Sequence, residues 1–402
     1  MPKRPPAGSP GLLRRLNSAA VLHAVREDGP VSRADLARAT GLSKPTVNAA
    51  IELLLEQGYV NEDADELASP GRPGRRPRLL RFASGMGHVL GVDIGANKVL
   101  VLVADLAGEV LATERRRSEP SAMLELVEDA ATQALAAAAV APESLMAVGV
   151  GTPGVVDPVS GRVTLAPQLA GWEGIELGAR LEPAFACPVV VDNEVRLSLL
   201  AERWRGAAQQ IDDAFFVQIG IGIGGGVLFG GEVYRGASGA AGEIGYLPLF
   251  DEEPSDGLGP FEHAAGGSAF ARLAQHAAST TLVELAGGDP GAIDAETVFA
   301  AAAAGDAVAT EVLENLLDRL ARGIAAAIVV LNPATLIVGG GISRAGEQLR
   351  APLEQRIRAL VPVAPRVILS QLGDEAVALG GVRLALQQVE QTLFDFAALE
   401  LA

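Results

Sequence analysis

The sequence predicts an α/β protein made of a winged helix-turn-helix and a larger body of two α/β lobes with a cleft between them. A helix, turn and helix pattern followed by an arginine-rich segment occupies residues 12–82, here called the head. From residue 88 onward, in what we call the body, apolar strand patterns alternate with helical patterns twice over, which is typical of two α/β lobes. Charge divides at the same place, with a basic head and an acidic body.

The charge distribution indicates which part meets nucleic acid. Residues 1–82 contain 13 Lys and Arg against nine Asp and Glu, whereas the remaining 320 contain 19 against 40. The net charges are therefore +4 and −21. Because phosphate attracts the first part and repels the second, only the head is expected to contact a nucleic acid.

The bulk composition is that of a folded protein. An apolar fraction of 49% excludes a disordered chain. Cys187 is the sole cysteine, so no internal disulfide can form, which fits a reducing compartment. We expect a cytoplasmic protein, because the N-terminal segment has no uninterrupted apolar region of the kind found in signal peptides and the apolar run 323–331 is too short to span a bilayer.

Three helices are predicted in the head. Ser32 and Asp35 form a capping box that opens the second helix, which runs to about Ala39. Gly41 makes the turn, and Ser43 caps the third helix. The apolar faces of the first and third helices have helical spacing: Val21, Leu22 and Val25, then Val47, Ile51, Leu54 and Leu55.

The third helix is the candidate for reading DNA. Its exposed N-terminal turns carry short polar or cationic residues suited to base edges and phosphates: Ser43, Lys44, Thr46 and Asn48. In a helix-turn-helix the later helix enters the major groove. We therefore expect these residues to contact an operator.

An arginine-rich loop follows between two short apolar segments. It is rich in Pro and Gly and is expected to bind DNA through Arg72, Arg75 and Arg76, with Arg78 and Arg81 nearby. Such a loop resembles the wing of a winged helix, whose guanidinium groups enter a minor groove or grip phosphates. Taken alone, the segment also fits a solvated linker, but the helix-turn-helix before it favours the wing.

In the body, the most informative stretch is residues 215–246. Two apolar strand patterns flank a glycine cluster that predicts a tight turn: Gly220, Gly222, Gly224, Gly225 and Gly226. Backbone N–H groups in such a turn can form a phosphate nest. Downstream, glycines surround Glu243, whose oxygens can accept strong hydrogen bonds from a ligand rich in hydroxyls. An ordinary glycine-rich hairpin is the alternative.

This stretch resembles the ROK family of sugar kinases and repressors, whose pattern is approximately G-x-G-I-G-G-G…G-x-x-G-x-A-G-E-I-G-H. Tyr246 stands here in place of the final His. The resemblance covers nearly the whole chain. It implies an actin-like, ribonuclease H-like ATPase fold, with a small lobe at 88–203 and 375–402 and a large lobe at 204–374. It also implies a dimer or a dimer of dimers.

The resemblance further implies which residues face the cleft. The implied sugar contacts are Gln168, Asn193, Glu194, Glu243, Tyr246 and Glu262. The implied vestigial nucleotide contacts are Asp93, Gly95, Asn97, Lys98, Gly222, Gly224, Gly225, Gly339 and Gly340. Each hairpin or glycine run, taken alone, also fits a plain turn.

Two departures from the kinase pattern bear on catalysis. The family's E-N-D-x-N motif, whose Asp is the catalytic base, is replaced by residues 192–196, so Glu194 takes the place of the base and Arg196 that of the last Asn. We expect Arg196 to lower the pKa of Glu194 and weaken it as a base. The family's cysteine-rich zinc loop is replaced by residues 256–262, which lack the Cys and His ligands that zinc requires, so no metal is expected.

We interpret the sequence as a sugar-responsive, DNA-binding transcriptional regulator, in the manner of a repressor, that needs no cofactor. Its expected partners are a double-stranded DNA operator and a sugar effector. One alternative is an active sugar kinase with a DNA-binding head, favoured by the glycine motifs and Asp93. Another is a body that docks a protein and binds no small ligand, favoured by the lost zinc loop. The identity of the sugar, and whether it induces or co-represses, stay open.

Overall fold

The computed structural model describes residues 10–64, 78–167, 169, 171–251, 257–277 and 279–394. Arg72, Arg75, Arg76 and Gln168 lie outside this part of the chain. The described residues form a head and two sheet-centred lobes, which confirms the predicted fold class. None of the described helices is both long and apolar enough to cross a membrane.

The head contains three helices and a three-stranded sheet. Its elements are α1 (Pro10–Asp28), β1 (Val31–Ser32), α2 (Arg33–Thr40), α3 (Lys44–Glu56), β2 (Val60–Ala64) and β3 (Arg78–Phe82). Ser32 and Ser43 cap α2 and α3 as predicted, and Gly41 turns the chain at φ 68°. The antiparallel strands β2 and β3 flank residues 65–77, where a wing was expected.

The small lobe is built on a five-stranded sheet of order β10-β7-β4-β5-β6. Its apolar strands are buried, and α4 and α5 pack on one face with them. The elements are β4 (His88–Ile94), β5 (Lys98–Asp105), β6 (Val110–Arg117), α4 (Met123–Ala137), β7 (Leu145–Thr152), β8 (Val155–Val156), β9 (Val163–Leu165), α5 (Leu177–Phe185), β10 (Val189–Asn193) and α6 (Glu194–Arg205).

The large lobe is built on a second five-stranded sheet, of order β13-β12-β11-β14-β15. Phe215, Phe261 and Phe270 lie at its centre with helices packed around them. The elements are β11 (Ala214–Ile219), β12 (Ile223–Phe229), β13 (Glu232–Tyr234), α7 (Pro260–Ala265), α8 (Gly267–Ala277), α9 (Thr280–Leu285), α10 (Ala295–Ala303), α11 (Ala307–Leu331), β14 (Thr335–Gly339), α12 (Glu347–Leu360) and β15 (Arg366–Leu369). The last helix, α13 (Ala376–Phe394), returns to the small-lobe sheet and packs on it. The division of the chain between lobes at 203/204 and 374/375 stays a prediction.

Two helices join the lobes. Val195 and Leu199 of α6 pack against the large-lobe sheet, whereas Leu197 of the same helix packs against α13. Helix α13 in turn lies on the small-lobe sheet at backbone contact, since a Cβ on Gly149 would come within 2.0 Å of the Gly381 carbonyl oxygen. The start of α6, where the candidate site lies, is therefore held from both sides.

One predicted local structure is wrong. Gly224, Gly225 and Gly226 do not belong to the turn but lie inside β12, and the turn is confined to residues 220–222. A Cβ on Gly224 would lie 2.6 Å from the Val195 side chain. Gly224 and Gly226 are needed because α6 crosses this face of the strand too closely for side chains, whereas a Cβ on Gly225 would lie 2.7 Å from the Gly242 carbonyl oxygen.

Candidate functional site in the interlobe cleft

The cleft contains a cavity of about 260 Å³ bounded by both lobes. Most of the described candidate residues line it: Asp93, Gly95, Asn97, Lys98, Asn193, Glu194, Gly222, Gly224, Gly225, Glu243, Tyr246, Glu262 and Gly340. Gly339 does not line it, because the residue lies under the Phe216 ring at the end of β14. The volume suits a small ligand.

Asn193 has a structural role at the cavity wall. Its side-chain oxygen accepts hydrogen bonds from the backbone N–H groups of Val195 and Arg196, at 2.9 and 3.2 Å, which caps α6. Its amide nitrogen donates to the Gly154 carbonyl at 2.8 Å. This leaves one amide N–H to reach a ligand.

Glu194 opens α6 and carries the most perturbed carboxyl group of the site. Its pKa is raised from an ordinary 4.5 to about 8, first by burial and then by the neighbouring carboxylates of Asp93, Glu243 and Glu262, against an opposing effect of Lys98. At neutral pH the group is mostly protonated and can donate a hydrogen bond.

The expectation that Arg196 lowers this pKa is wrong. The two residues start the same helix, but the Arg196 guanidinium turns away from Glu194 and binds the Asp192 carboxylate at 2.5 Å. It also donates to backbone carbonyls outside the cavity. The positive charge of Arg196 is therefore compensated by groups other than Glu194.

Asp93 and Lys98 face each other across the first hairpin of the body. The Asp93 carboxylate and the Lys98 ammonium lie 3.1 Å apart, and Lys98 also donates to the Asp374 carbonyl at 2.6 Å. Burial raises the pKa of Asp93, while Lys98 opposes the shift. The hairpin thus presents a neutralised ion pair rather than an open cation.

Glu243 and Tyr246 lie on the large-lobe side of the cavity. Burial raises the pKa of Glu243, Arg196 lowers it, and Glu262 raises it. Tyr246, at the mouth, is 40% exposed, and burial together with Glu243 and Glu262 raises its pKa. The two side chains can offer an acceptor and a hydroxyl donor to a sugar.

Glu262 lies beneath the glycine turn. A Cβ on Gly222 would overlap its carboxylate, at 1.5 Å from Oε1, so glycine is required there. The Gly259 N–H donates to Oε2 at 3.4 Å. A carboxylate packed against this turn would repel a phosphate group bound at the same place.

Several residues that shape the site were not singled out from the sequence. Trp172 donates through its indole N–H to Thr152 at 2.8 Å and supports the loop that Asn193 binds. Asp192 and Arg235 form an ion pair at 2.8 Å behind the cavity. Asp192 stands at the first position of the replaced family motif, which was a signal for it, but Arg235 had none, because the pair is far apart in sequence.

The head presents a second candidate site. Ser43, Lys44 and Asn48 are exposed and Thr46 is partly exposed at the start of α3. The Ser43 and Thr46 hydroxyls lie 2.7 Å apart. Arg33 of α2 bonds Glu52 of α3 at 2.9 Å, which braces the two helices. The arrangement leaves the N-terminal turn of α3 on the surface, where it can enter a groove.

The Glu194 pKa predicts how stability depends on pH. A carboxyl protonated in the folded protein up to about pH 8, but ionised above about 4.5 when unfolded, binds more protons in the folded state between these values. We therefore expect Glu194 to make the free energy of unfolding fall as pH rises from 4.5 to 8. Urea titrations of the wild type and of Glu194→Gln check this, and equal pH slopes in both proteins would contradict it.

Two family profiles match the chain. The ROK family profile matches residues 89–388, and the MarR family profile matches residues 11–67. These ranges correspond to the body and to the helices of the head with β2.

Relatives occur among both regulators and kinases. The DNA-binding transcriptional dual regulator NagC of Escherichia coli (strain K12) is 30% identical, with 94% of each chain covered. A solved ROK family transcriptional regulator, a homologue of the E. coli MLC protein, is 25% identical over 97% of this chain and 98% of that one, with a TM-score of 0.74. A ROK family glucokinase from Streptomyces griseus, solved with glucose and AMPPNP, is 31% identical over 75% of this chain and 100% of its own, with a TM-score of 0.66. The chain therefore belongs to the ROK family and joins an actin-like body to a MarR-type winged helix.

Proposed function

We propose that the protein is a transcriptional regulator whose head binds operator DNA and whose cleft binds a monosaccharide effector. The proposal is supported by one chain that combines an exposed helix suited to reading DNA with a cavity lined by carboxylates. Transcriptional regulators match this chain along nearly its whole length. The protein acts in the cytoplasm as a homodimer or homotetramer, which suits a two-fold symmetric operator.

The charge of the cavity favours a neutral sugar. Among the described lining residues Lys98 is the sole cation, against five acids: Asp93, Glu194, Glu243, Glu262 and Asp374. Lys98 is already paired with Asp93. Sugar hydroxyls can donate to the carboxylates and accept from a protonated Glu194, whereas a phosphate group would be repelled.

Sugar binding reaches DNA by shifting an equilibrium between lobe arrangements. An effector that binds one arrangement better than the other changes its population by the difference in affinity. In an oligomer, such a shift changes the spacing of the two heads relative to the operator half-sites.

A thermal-shift screen of the full chain with D-xylose, D-glucose, N-acetylglucosamine and their phosphates tests this function. A ligand at about 100 times its Kd stabilises by about 2.7 kcal/mol, which is readily measured. We expect a neutral sugar to bind and to change operator affinity, and Glu243→Gln to lose both responses while retaining DNA binding. A cavity that binds none of these sugars would refute the proposal.

DNA recognition is tested separately in the head. We expect Asn48→Ala to relax base preference, because its amide can pair with a base edge, and Lys44→Ala to weaken all sequences and lower the salt slope by about 1. Fluorescence anisotropy with operator and scrambled duplexes at several salt concentrations measures both effects. Arg38→Ala, which changes an exposed arginine paired with Asp35 on α2, is the matched control.

An active sugar kinase is the second candidate, and one observation favours it. A carboxyl group with a pKa raised toward neutrality is typical of a general base. We nevertheless propose that phosphoryl transfer is lost, because Glu194 carries one more methylene than the Asp of the kinase motif and a displacement of about 1 Å costs on the order of 100-fold in rate.

Coupled ADP release with ATP, Mg²⁺ and the best sugar of the screen distinguishes these functions. We expect turnover far below the roughly 1–100 s⁻¹ of working kinases. If the Glu at position 194 is what prevents phosphoryl transfer, Glu194→Asp should turn over faster than Glu194→Ala. Wild-type turnover in the kinase range would establish an enzyme instead.

The head and body meet at an ion-pair cluster that is suited to coupling. Arg26 of α1 and Arg383 of α13 both bind the Glu390 carboxylate, each at 2.6 Å. Burial raises the pKa of Glu390, but Arg383 and Arg26 outweigh the effect of burial and hold this pKa below its ordinary value. Phe82 of β3 adds apolar contact to both the head core and the body cluster under α13.

We expect Arg26→Ala to reduce the effect of the sugar on operator affinity while leaving each separate affinity nearly unchanged. The contact joins two sites without touching either ligand, and coupling factors are typically about 5- to 150-fold. Operator titrations with and without sugar measure the factor. Arg356→Ala, which breaks an ion pair with Asp318 remote from the head, should leave it intact.

A further inference from the structure

Behind the cavity lies a buried charged cluster that the proposed binding contacts do not use. Arg196 has a side chain only 2% exposed, and its Nε donates to Asp192 at 2.5 Å. Arg235 binds the other oxygen of the same carboxylate at 2.8 Å. The Asp192 carboxylate also accepts from the Asn193 backbone N–H at 2.7 Å.

The cluster connects the two lobes. On the small-lobe side, Arg196 donates through Nη2 to the Val156 carbonyl of β8 at 3.1 Å. On the large-lobe side, its Nη1 donates to the Gly239 carbonyl. Gly239 belongs to residues 235–243, here called the Glu243 loop, which follows β13 and ends at Glu243.

The Glu243 loop is fixed at two points. At Gly239, where φ is 79°, a Cβ would lie 1.9 Å from the Val156 carbonyl oxygen, so the loop is in tight contact with the small lobe. At Gly242, the carbonyl accepts from the Gly225 N–H of β12 at 2.9 Å. Glu243 follows directly, and its position therefore depends on both contacts.

We propose that Arg196 is a positioning residue that pins the Glu243 loop to the small lobe and thereby sets where Glu243 meets the effector. The proposal rests on the proposed function, because it concerns a sugar in the cleft. A guanidinium is suited to the task, since its fork of donors binds a carboxylate and two carbonyls at once. A lysine ammonium keeps the charge but cannot reproduce this geometry.

Arg196 also influences the charge of Glu243. The titratable and charged groups that interact electrostatically with Glu243 are Arg196 and Glu194 of α6, Glu262 of α7 and Tyr246 of its own segment. Of these, Arg196 is the one that opposes the rise in the Glu243 pKa. Without its charge the carboxyl ionises at higher pH, and binding that needs the carboxylate moves to higher pH with it.

Two substitutions separate positioning from stability. We expect Arg196→Lys to weaken binding of the best sugar in the screen about 10- to 100-fold, because hydrogen bonds from a charged group are lost. The midpoint of the pH dependence of sugar binding should stay unchanged in this variant, because the positive charge is kept. Arg196→Gln should weaken binding similarly and also raise the midpoint. Calorimetric titrations of the full chain at pH values upward from 4.5, the ordinary pKa of the Glu243 carboxyl, with melting temperatures of the unliganded proteins, measure both.

The control is Arg203→Gln, on the same helix. Arg203 binds Asp212 at 3.3 Å but does not line the cavity, so its loss should leave sugar affinity unchanged. If the Arg196 variants do not fold, Arg235→Gln tests the same pin at its half-exposed end and should weaken binding about tenfold.

The outcomes distinguish the pin from the function. If folded variants at 196 or 235 bind sugar as tightly as the wild type and with the same pH profile, the positioning role of Arg196 is wrong, but the proposed function still stands. A wild type that binds no sugar of the screen overturns the proposed function and the pin with it. A loss of affinity that follows melting temperature in all variants, the Arg203 control included, shows a structural role only and also overturns the pin.

Discussion

The position of α6 between the lobes is the constraint on which the rest of the structure depends. Its first turn is capped by Asn193, its side chains belong to the cores of both lobes, and the glycines of β12 allow it to approach. The helix is held on both sides, and its N-terminal end lies at the cavity between the lobes. That end carries Glu194 and Arg196, one facing the cavity and one facing away.

The cleft combines two electrostatic environments within one turn of helix. Toward the cavity, burial and the nearby carboxylates of Asp93, Glu243 and Glu262 raise the pKa of Glu194 to about 8, so this group is mostly protonated at neutral pH. Behind the cavity, the buried Arg196 is compensated by Asp192 and by backbone carbonyls. Removing one partner of such a buried cluster is costly, because the other charge is left without compensation. The arrangement favours a ligand that brings hydroxyls rather than further negative charge.

The same geometry suggests how a kinase-like cleft serves regulation. Helix α13 contacts α6 and the small-lobe sheet, borders the cavity through Ala376 and Val377, and meets the head at Glu390. One helix thus lies against the cavity at one end and against the head at the other. Catalysis would require an exact position for the base. Regulation through α13 requires only that the lobes have two arrangements.

The sequence by itself determined the elements whose signals are local. Periodicity and capping residues gave the head helices, since Ser32 and Ser43 accept from neighbouring N–H groups and Gly41 takes the left-handed conformation that ends α2. The order of strands and helices indicated two lobes. Most of the described residues that the motifs singled out also line the cavity. Only the tertiary structure decided the direction of Arg196, the pKa of Glu194 and the partner of Arg235, because each depends on groups brought together from distant parts of the chain. Gly224 and Gly226 show the same division: the sequence suggested a turn, but the need for glycine came from a helix that crosses the strand.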